Sequence, residues 1–340
     1  MKRSCLRILR CPSCLASLRL AVDCERDGDI ERGTLRCAGC SRDFPIVKSI
    51  PRFVPSDNYA NNFGFQWNEF SRTQLDSQSG LPISRERFLA QTHWDESTLR
   101  GKLVLDAGCG SGRFAEVVLM LGAEVVGIDY STAVDAAWRN LGSHPRFHVA
   151  QGDIYALPFA PGTFDFVYSL GVLQHTPDVR GALFSLVSRL KPGGSMAVDF
   201  YFRRWLNALE PKYWLRPLTT RMRQERLFSL IRRSAPALLR FSGALGRVPL
   251  AGRLLRRLVP VANYEGIYPL DAQQLEEWAV LDTFDWLAPR HDHPQRPHTV
   301  ESWMRQAGLE GVEVEHVRHL TGRGVKPVAS RSPGLVSRTE

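Results

Sequence analysis

"DAGCGSGRF", residues 106–114, places three glycines, Gly108, Gly110 and Gly112, two apart behind an acidic residue, Asp106. Ahead of it runs the short apolar segment "KLVLDAG"; behind it Phe114, Val117, Val118 and Leu121 recur at helical spacing until Gly122. The glycine turn therefore joins a strand to a helix. Working outward, "AEVVGID" reads as a second buried strand ending at Asp129, and "RFHVAQGD" as a third with Asp153 at its end. "TFDFVYSL" supplies a fourth. A helix carrying Leu183, Leu186, Val187 and Leu190 is expected to stop at "KPGG", before a fifth strand in "SMAVDFYF". Strands alternating with helices predict an α/β fold with an open parallel sheet that binds ligands at the carboxyl ends of its strands.

A dinucleotide loop reads GxGxxG, its third glycine allowing close packing behind a pyrophosphate. Here the spacing is GxGxG after an acidic residue, which favours a ligand with one nucleoside and no pyrophosphate. Asp129 is placed to accept both ribose hydroxyls, and Asp153 to accept a donor on the adenine edge. A single aspartate at a strand end reads equally as a helix cap or turn residue. Three at successive strand ends point to a ligand.

Six of the seven cysteines lie in the first 40 residues, and four form "CPSC" (Cys11, Cys14) and "CAGC" (Cys37, Cys40), 22 residues apart. Paired CxxC turns at this spacing predict a zinc ribbon, in which a structural Zn2+ staples a segment too short to hold itself together. Cys5 and Cys24 fit neither pair. "FPIVKSIPRFVP" closes the ribbon and sets its boundary near Ser56, giving a first domain of residues 1–56.

The order "LVLDAGCGSGRF…VVGIDYS…VAQGDIYALPF…FDFVYSLGVLQHTPD…LKPGG" resembles the core of class I S-adenosylmethionine-dependent methyltransferases, type 11 subgroup, over residues 101–203. The resemblance implies a Rossmann-like sheet and S-adenosylmethionine as cofactor. It implies Asp106, Gly108, Gly110 and Gly112 on the methionine part, Asp129 on the ribose, and Tyr130 beside the adenine. Asp153 and Ile154 would meet the adenine edge, and Ser169 and Leu170 would line the floor under the sulfonium. The ribbon resembles small activator subunits that bind methyltransferases in translation-related methylation, here fused in cis. Residues 57–100 form a helical flap or linker; "NFGFQWNEFSRTQLD" (62–76) resembles the preface of some type 11 enzymes, with an amphipathic helix packed on the sheet as the plainer alternative.

An activated methyl group leaves the protein mostly a positioning task, helped by a general base where the acceptor is a hydroxyl. His175 in "GVLQHTPD" is the first candidate for that base; a loop-holding histidine is the alternative. The same position carries no Asn-Pro-Pro-Tyr or Asp-Pro-Pro-Tyr, the sequence with which amino-methylating relatives grip a base or amide nitrogen, so oxygen is the expected acceptor atom, with ring nitrogen and carbon as the alternatives. Downstream, "DTFDWLAPRHDHPQRPH" gathers Asp282, Asp285, His291, Asp292 and His293 in what reads as a proline-broken lid loop or surface turn, with His291 or His293 as a fallback base.

Between the fifth strand and the C-terminal part of the core (residues 299–325: the helix "TVESWMRQAG", capped by Thr299 and stopped by Gly308, then the strand "GVEVEHV") about 95 residues intervene. This insert, 204–298, is basic. From Arg203 to Tyr264 there are 14 Lys or Arg against Glu210 and Glu225, a local balance of +12 in a chain of +9, which leaves the remainder at −3. "PLAGRLLRRLVP" sets Leu250, Leu254 and Leu258 on one helical face, with Arg253, Arg256 and Arg257 away from it. Three readings stand: a helical substrate lid with arginines in water, a peripheral contact with an anionic membrane surface, and a grip on RNA phosphate. Sparse aromatic residues between Arg216 and Val261 put RNA last. Residues 326–340 read as a frayed tail.

No apolar run reaches 18 residues and the N-terminus lacks a signal-peptide core, so a cytoplasmic protein is expected, peripheral at the inner membrane surface if the insert meets lipid. The reading as a whole is methyl transfer to oxygen of a small-molecule or lipid-linked, saccharide-bearing acceptor. RNA methylation and a non-catalytic cofactor-binding scaffold are the alternatives. Oligomeric state is not legible in the sequence.

Overall fold

The computed structural model describes residues 1–204 and 210–328, Arg253 without its side chain. Of the tail expected at 326–340, Lys326 is tied down, its amide donating to the Gly194 carbonyl at 2.8 Å, and 329–340 lie outside the described residues, as do 205–209 of the insert.

The N-terminal segment folds as an antiparallel meander, β1 (Leu18–Arg26), β2 (Asp29–Cys37), β3 (Asp43–Val47) and β4 (Ile50–Pro51). Its buried Leu18, Ile30, Leu35, Phe44 and Ile46 are too few for a core of their own. They share one with Leu157 and Phe159 of the α/β unit. The Arg10 amide donates to the Pro158 carbonyl at 2.8 Å, the Phe53 amide to Gln151 at 2.8 Å, and Arg52 pairs with Asp135 at 2.7 Å.

Four helices precede the main sheet: α1 (Asn61–Glu69), α2 (Asp76–Ser79), α3 (Ile83–Thr92) and α4 (Glu96–Leu99). The sheet then follows the expected alternation: β5 (Leu103–Ala107), α5 (Arg113–Met120), β6 (Glu124–Asp129), α6 (Val134–Leu141), β7 (Phe147–Gln151), β8 (Phe164–Ser169), α7 (Val179–Arg189) and β9 (Leu190–Phe200). "KPGG" itself lies in β9, and α7 stops just before it, at Arg189, so that Leu190 falls in the strand and not in the helix. Pro192 disfavours helical backbone at the residue before it, so the chain turns extended at Leu190. After the insert come α12 (Pro297–Gln306), β10 (Glu310–His316) and β11 (Leu320–Val325). Thr299 is not the cap of α12: Pro297 occupies the first turn, where its missing N–H costs nothing, and the helix starts behind Arg296.

The strand order is β10-β11-β9-β8-β5-β6-β7, with β5 to β9 parallel and β11 antiparallel to both its neighbours. This is the mixed seven-stranded sheet of class I methyltransferases, with β5 at the switch point. Alternate side chains of each strand feed two cores. Leu105, Ala107, Val126 and Val167 face α7, α12 and the ribbon, whereas Val104, Val125, Val149 and Phe166 face α3, α5 and α6.

Within the insert, α8 (Pro211–Thr219), α9 (Gln224–Gly246), α10 (Gly252–Leu255) and α11 (Ala272–Leu287) form a helical layer. Its core joins Leu227, Phe228 and Ile231 of α9 to Val280, Phe284 and Leu287 of α11, and Phe65 and Phe70 of the flap segment pack into it. Asp282 and Asp285 thus belong to α11, started by a capping box at Asp271 and Gln274, and not to the proline-broken loop, which begins only after Leu287. In "PLAGRLLRRLVP" the leucine face is the outer one. Leu250, Leu254 and Leu258 face outward, and Arg256 turns in to donate to the Asn263 carbonyl at 2.9 Å.

Candidate active site

A cavity of about 950 Å³ opens at the carboxyl ends of β5, β6, β8 and β9, roofed by α1 and the insert. Its sheet end is built from strand-terminal turns. Gly108 has φ +88°, and a Cβ there would lie 2.4 Å from the Val172 side chain, so only glycine lets the chain pass under the turn that follows β8. Gly110 faces the Trp67 ring of α1 and donates its amide to Asp129 Oδ2 at 3.0 Å. Asp129 Oδ1 accepts from the Ser131 amide at 2.8 Å and its hydroxyl at 2.7 Å. The carboxylate is therefore held at the strand end with one lone pair, on Oδ2, to spare for a hydroxyl donor. Burial pushes its pKa up, and the three donors oppose that shift.

Of the ten residues expected to hold cofactor, Gly108, Gly110, Asp129, Tyr130, Asp153, Ile154 and Leu170 line the cavity. Asp106, Gly112 and Ser169 stand behind the lining. Asp106 is buried with Oδ2 unpartnered, and burial raises its carboxyl to about 7. The Ser169 hydroxyl donates to the Ala107 carbonyl at 2.7 Å and ties β8 to β5. Asp153 Oδ1 accepts the Tyr155 amide at 2.9 Å. The left-handed glycine turn and the oriented Asp129 together fit an amino-acid nucleoside such as S-adenosylmethionine.

The flap contributes what sequence reasoning left unassigned. Tyr59 lies 5.0 Å from Tyr130 between ring centroids, and Gln66, 1% exposed, lines the cavity with both amide atoms unpartnered. The aromatic run "NFGFQW" was the available signal.

His175 follows β8 in a single 3-10 turn and lines the cavity. Its Nδ1 lies 3.0 Å from the His291 carbonyl, an arrangement in which Nδ1–H donates and Nε2 keeps its lone pair. That Nε2 is buried and has no partner among the described residues. The Phe63 and Tyr201 rings flank the imidazole at 5.2 and 5.5 Å. The fallback histidines are outside the lining: the His291 ring stacks on His293, and their loop serves His175 through its backbone.

Beyond His175 the insert supplies a polar wall. The Tyr264 hydroxyl donates to Asp282, and the Tyr201 hydroxyl to Asp285 at 2.9 Å. Burial raises Asp282 to about 6. Arg113 is 8% exposed and donates to Ser84 and Gln74, with burial lowering its pKa to about 10. Arg87 pairs with Asp199 at 2.8 Å.

Away from the cavity, the Sγ atoms of Cys11, Cys14, Cys37 and Cys40 all lie within 4.8 Å of one another, the only such cluster of possible metal ligands among the described residues. Cys11 and Cys40 are 3.6 Å apart and Cys14 and Cys37 3.4 Å, near the edge of a tetrahedron with zinc–sulfur bonds of about 2.3 Å. The amides of Cys40 and Gly39 donate to Cys37 Sγ at 3.3 Å and hold its thiol down to about 6. No helix among the described residues is long and apolar enough to cross a membrane.

The profile of a methyltransferase domain family matches residues 105–198. The ubiquinone biosynthesis O-methyltransferase of Schizosaccharomyces pombe is 30% identical over 42% of this chain and 56% of its own length. The sterol 24-C-methyltransferase of Saccharomyces cerevisiae is 33% identical over 43% of this chain and 38% of its own. The trans-aconitate 2-methyltransferase of Methylobacterium radiotolerans is 29% identical over 72% and 80%. The chain thus spans about half the length of the first of these relatives and less of the second. With the strand order and the glycine turn, these likenesses identify residues 105–198 as a methyltransferase domain of the S-adenosylmethionine-dependent, class I kind.

Proposed function

We propose that the protein transfers a methyl group to an oxygen of a small-molecule or amphiphilic acceptor, with His175 as general base. The carrying observation is the unpartnered Nε2 of His175, buried at the carboxyl end of β8 between the cofactor end of the cavity and the polar wall of the insert. A buried ring nitrogen without a partner costs about 1–3 kcal/mol, which an acceptor hydroxyl would recover. S-adenosylmethionine, when bound, supplies a methyl group already activated on sulfur. Asp129, Tyr130 and Asp153 would hold its nucleoside, and the glycine turn its amino-acid part. The chain's own task is then to orient the acceptor, take its proton at Nε2 and keep water out, which α1 and the insert do by roofing the cavity. One relative is named for O-methylation in ubiquinone biosynthesis and another for sterol methylation at carbon, so small amphiphilic acceptors are well represented among them. The four cysteines suit a structural Zn2+ in the ribbon.

The test is a transfer assay with S-adenosylmethionine labelled in its methyl group and host extract split into RNA, lipid, saccharide, protein and small-molecule fractions. Label is expected in the lipid or small-molecule fraction, lost with Asp129→Ala. His175→Ala should lower turnover about 100-fold or more while leaving S-adenosylhomocysteine binding by calorimetry unchanged. Label in RNA, or full turnover by His175→Ala, refutes the reading; no binding of S-adenosylhomocysteine leaves a non-catalytic scaffold.

A further inference from the structure

The outer surface of the insert is at once the most basic and the most apolar part of the molecule. Of 17 large hydrophobic side chains exposed among the described residues, nine fall between Trp214 and Ile267. They sit at two places beside the cavity entrance. On α8, Trp214 and Leu218 are one helical turn apart and 63% and 67% exposed, directly after the cavity-lining Lys212 and Tyr213. On the hairpin tip, Leu254 and Leu258 are again one turn apart and 66% and 52% exposed, flanking the cavity-lining Arg256 and Arg257. Leu250 is fully exposed and held at φ +63°, a backbone region that branched side chains rarely occupy. Half-exposed Ile267 itself lines the cavity.

Around these residues cations predominate, with Glu225 beside Arg223 at 3.7 Å and Glu265 as the neighbouring acids. Arg221, Arg226, Arg233, Arg240 and Arg257 are exposed and make no ion pair among the described residues, whereas Arg232 and Arg247 reach only distant carboxylates, Glu69 at 3.9 Å and Glu265 at 3.8 Å. Leucines backed by unpaired arginines lose free energy in water on both counts: the apolar area stays hydrated and the cations repel one another. An anionic bilayer relieves both, taking leucine and tryptophan at the acyl boundary and guanidinium groups among the headgroups.

We propose that the insert docks on an anionic lipid surface through Trp214, Leu218, Leu250, Leu254 and Leu258, so that the cavity entrance faces the bilayer and an amphiphilic acceptor passes into it from lipid. Docking rests on the surface of the insert alone and does not require that the acceptor atom be oxygen.

The experiment is vesicle flotation of the full chain. Vesicles of phosphatidylcholine with phosphatidylglycerol should carry the protein and vesicles of phosphatidylcholine alone should not. Leu254→Asp with Leu258→Asp, both at exposed positions that leave the helical core intact, should weaken binding about 100-fold. Arg233→Gln with Arg240→Gln should weaken it about 20-fold at low salt and less at high salt. Each variant is first shown to bind S-adenosylhomocysteine as the parent does, which separates docking from any failure of the methyltransferase reading. Three outcomes overturn the proposal. One is no binding to the anionic vesicles. Another is bulk RNA binding that is lost with the arginine pair and spared by the leucine pair. The third is a dimer in sedimentation that the leucine pair dissolves, since the surface would then be made for a second copy of the chain.

Discussion

The ribbon and the insert are both additions to one α/β core, and they are built by opposite means. The ribbon spends four cysteines and a few apolar side chains, and its register follows from residue spacing alone. The insert has no such staple: its helices are held by apolar packing, with Phe228, Phe284 and Leu287 meeting the flap's Phe65 and a second cluster around Val259, Val261 and Ala279. A cysteine pattern is local in sequence and survives rearrangement of everything around it. A hydrophobic layer made by α1, α9 and α11 exists only once segments more than 150 residues apart have met. Parts of the second kind can change shape around an acceptor, and parts of the first kind cannot.

Chelation should break the comparison most strongly. Structural zinc in isolated finger peptides contributes about 10 kcal/mol or more, so metal removal should melt β1 to β3 outright. Hydrogen exchange read by mass spectrometry would then rise across residues 18–47 with α9 and α11 unchanged; equal exchange in both regions would mean that ribbon and insert unfold as one unit. Phe284→Ala is the reciprocal change. Phe284 is fully buried, and its truncation should cost about 3–5 kcal/mol, raising exchange in α1, α9 and α11 while the ribbon keeps its protection.

The smallest expected effect is one of pH, and its sign differs between the two. Glu124 is desolvated, yet Arg7 of the ribbon and His148 bond to it and hold its carboxyl below the usual value of 4.5. Stability from that contact is present above about pH 4.5 and is lost as pH falls through the depressed pKa. Asp282 is raised by burial from 3.8 to about 6, so the folded insert keeps a proton that the unfolded chain has released. Stability of the insert should therefore fall as pH rises from about 4 to 6, by about 2 kcal/mol. Thermal unfolding of Asp282→Asn, read against the parent across that range, should lose the slope; an unchanged slope assigns it elsewhere.

How much of this was legible follows the same division. Strands β5 to β9 and the glycine turn could be read as short apolar runs, those of β5 to β7 closed by Gly or Asp; Asp129 and Asp153 came with them, whereas Tyr130, Ile154 and Leu170 rested on the family resemblance. β11 was not read, because "LTGRGV" breaks its pattern with two glycines. Those glycines answer to packing: a Cβ at Gly322 would lie 2.6 Å from the Met304 sulfur of α12. Gln66 was missed as a site residue because nothing local says which way α1 faces, and Tyr59 because it lies in the connection ahead of that helix. The leucines of the insert show the same limit. Helical spacing shows that Leu254 and Leu258 share a face, and only the tertiary structure shows that this face is outside.

One feature of the ribbon reaches beyond its own stability. β7 is the last strand of the sheet, and Arg52 and Phe53, leaving β4, lie along it at Gln151. The ribbon is thus a cap on an open row of amides and carbonyls that would otherwise pair with any passing strand. A chain that loses its metal should then announce the loss by sticking to other chains, at concentrations where the enzyme core itself is still folded.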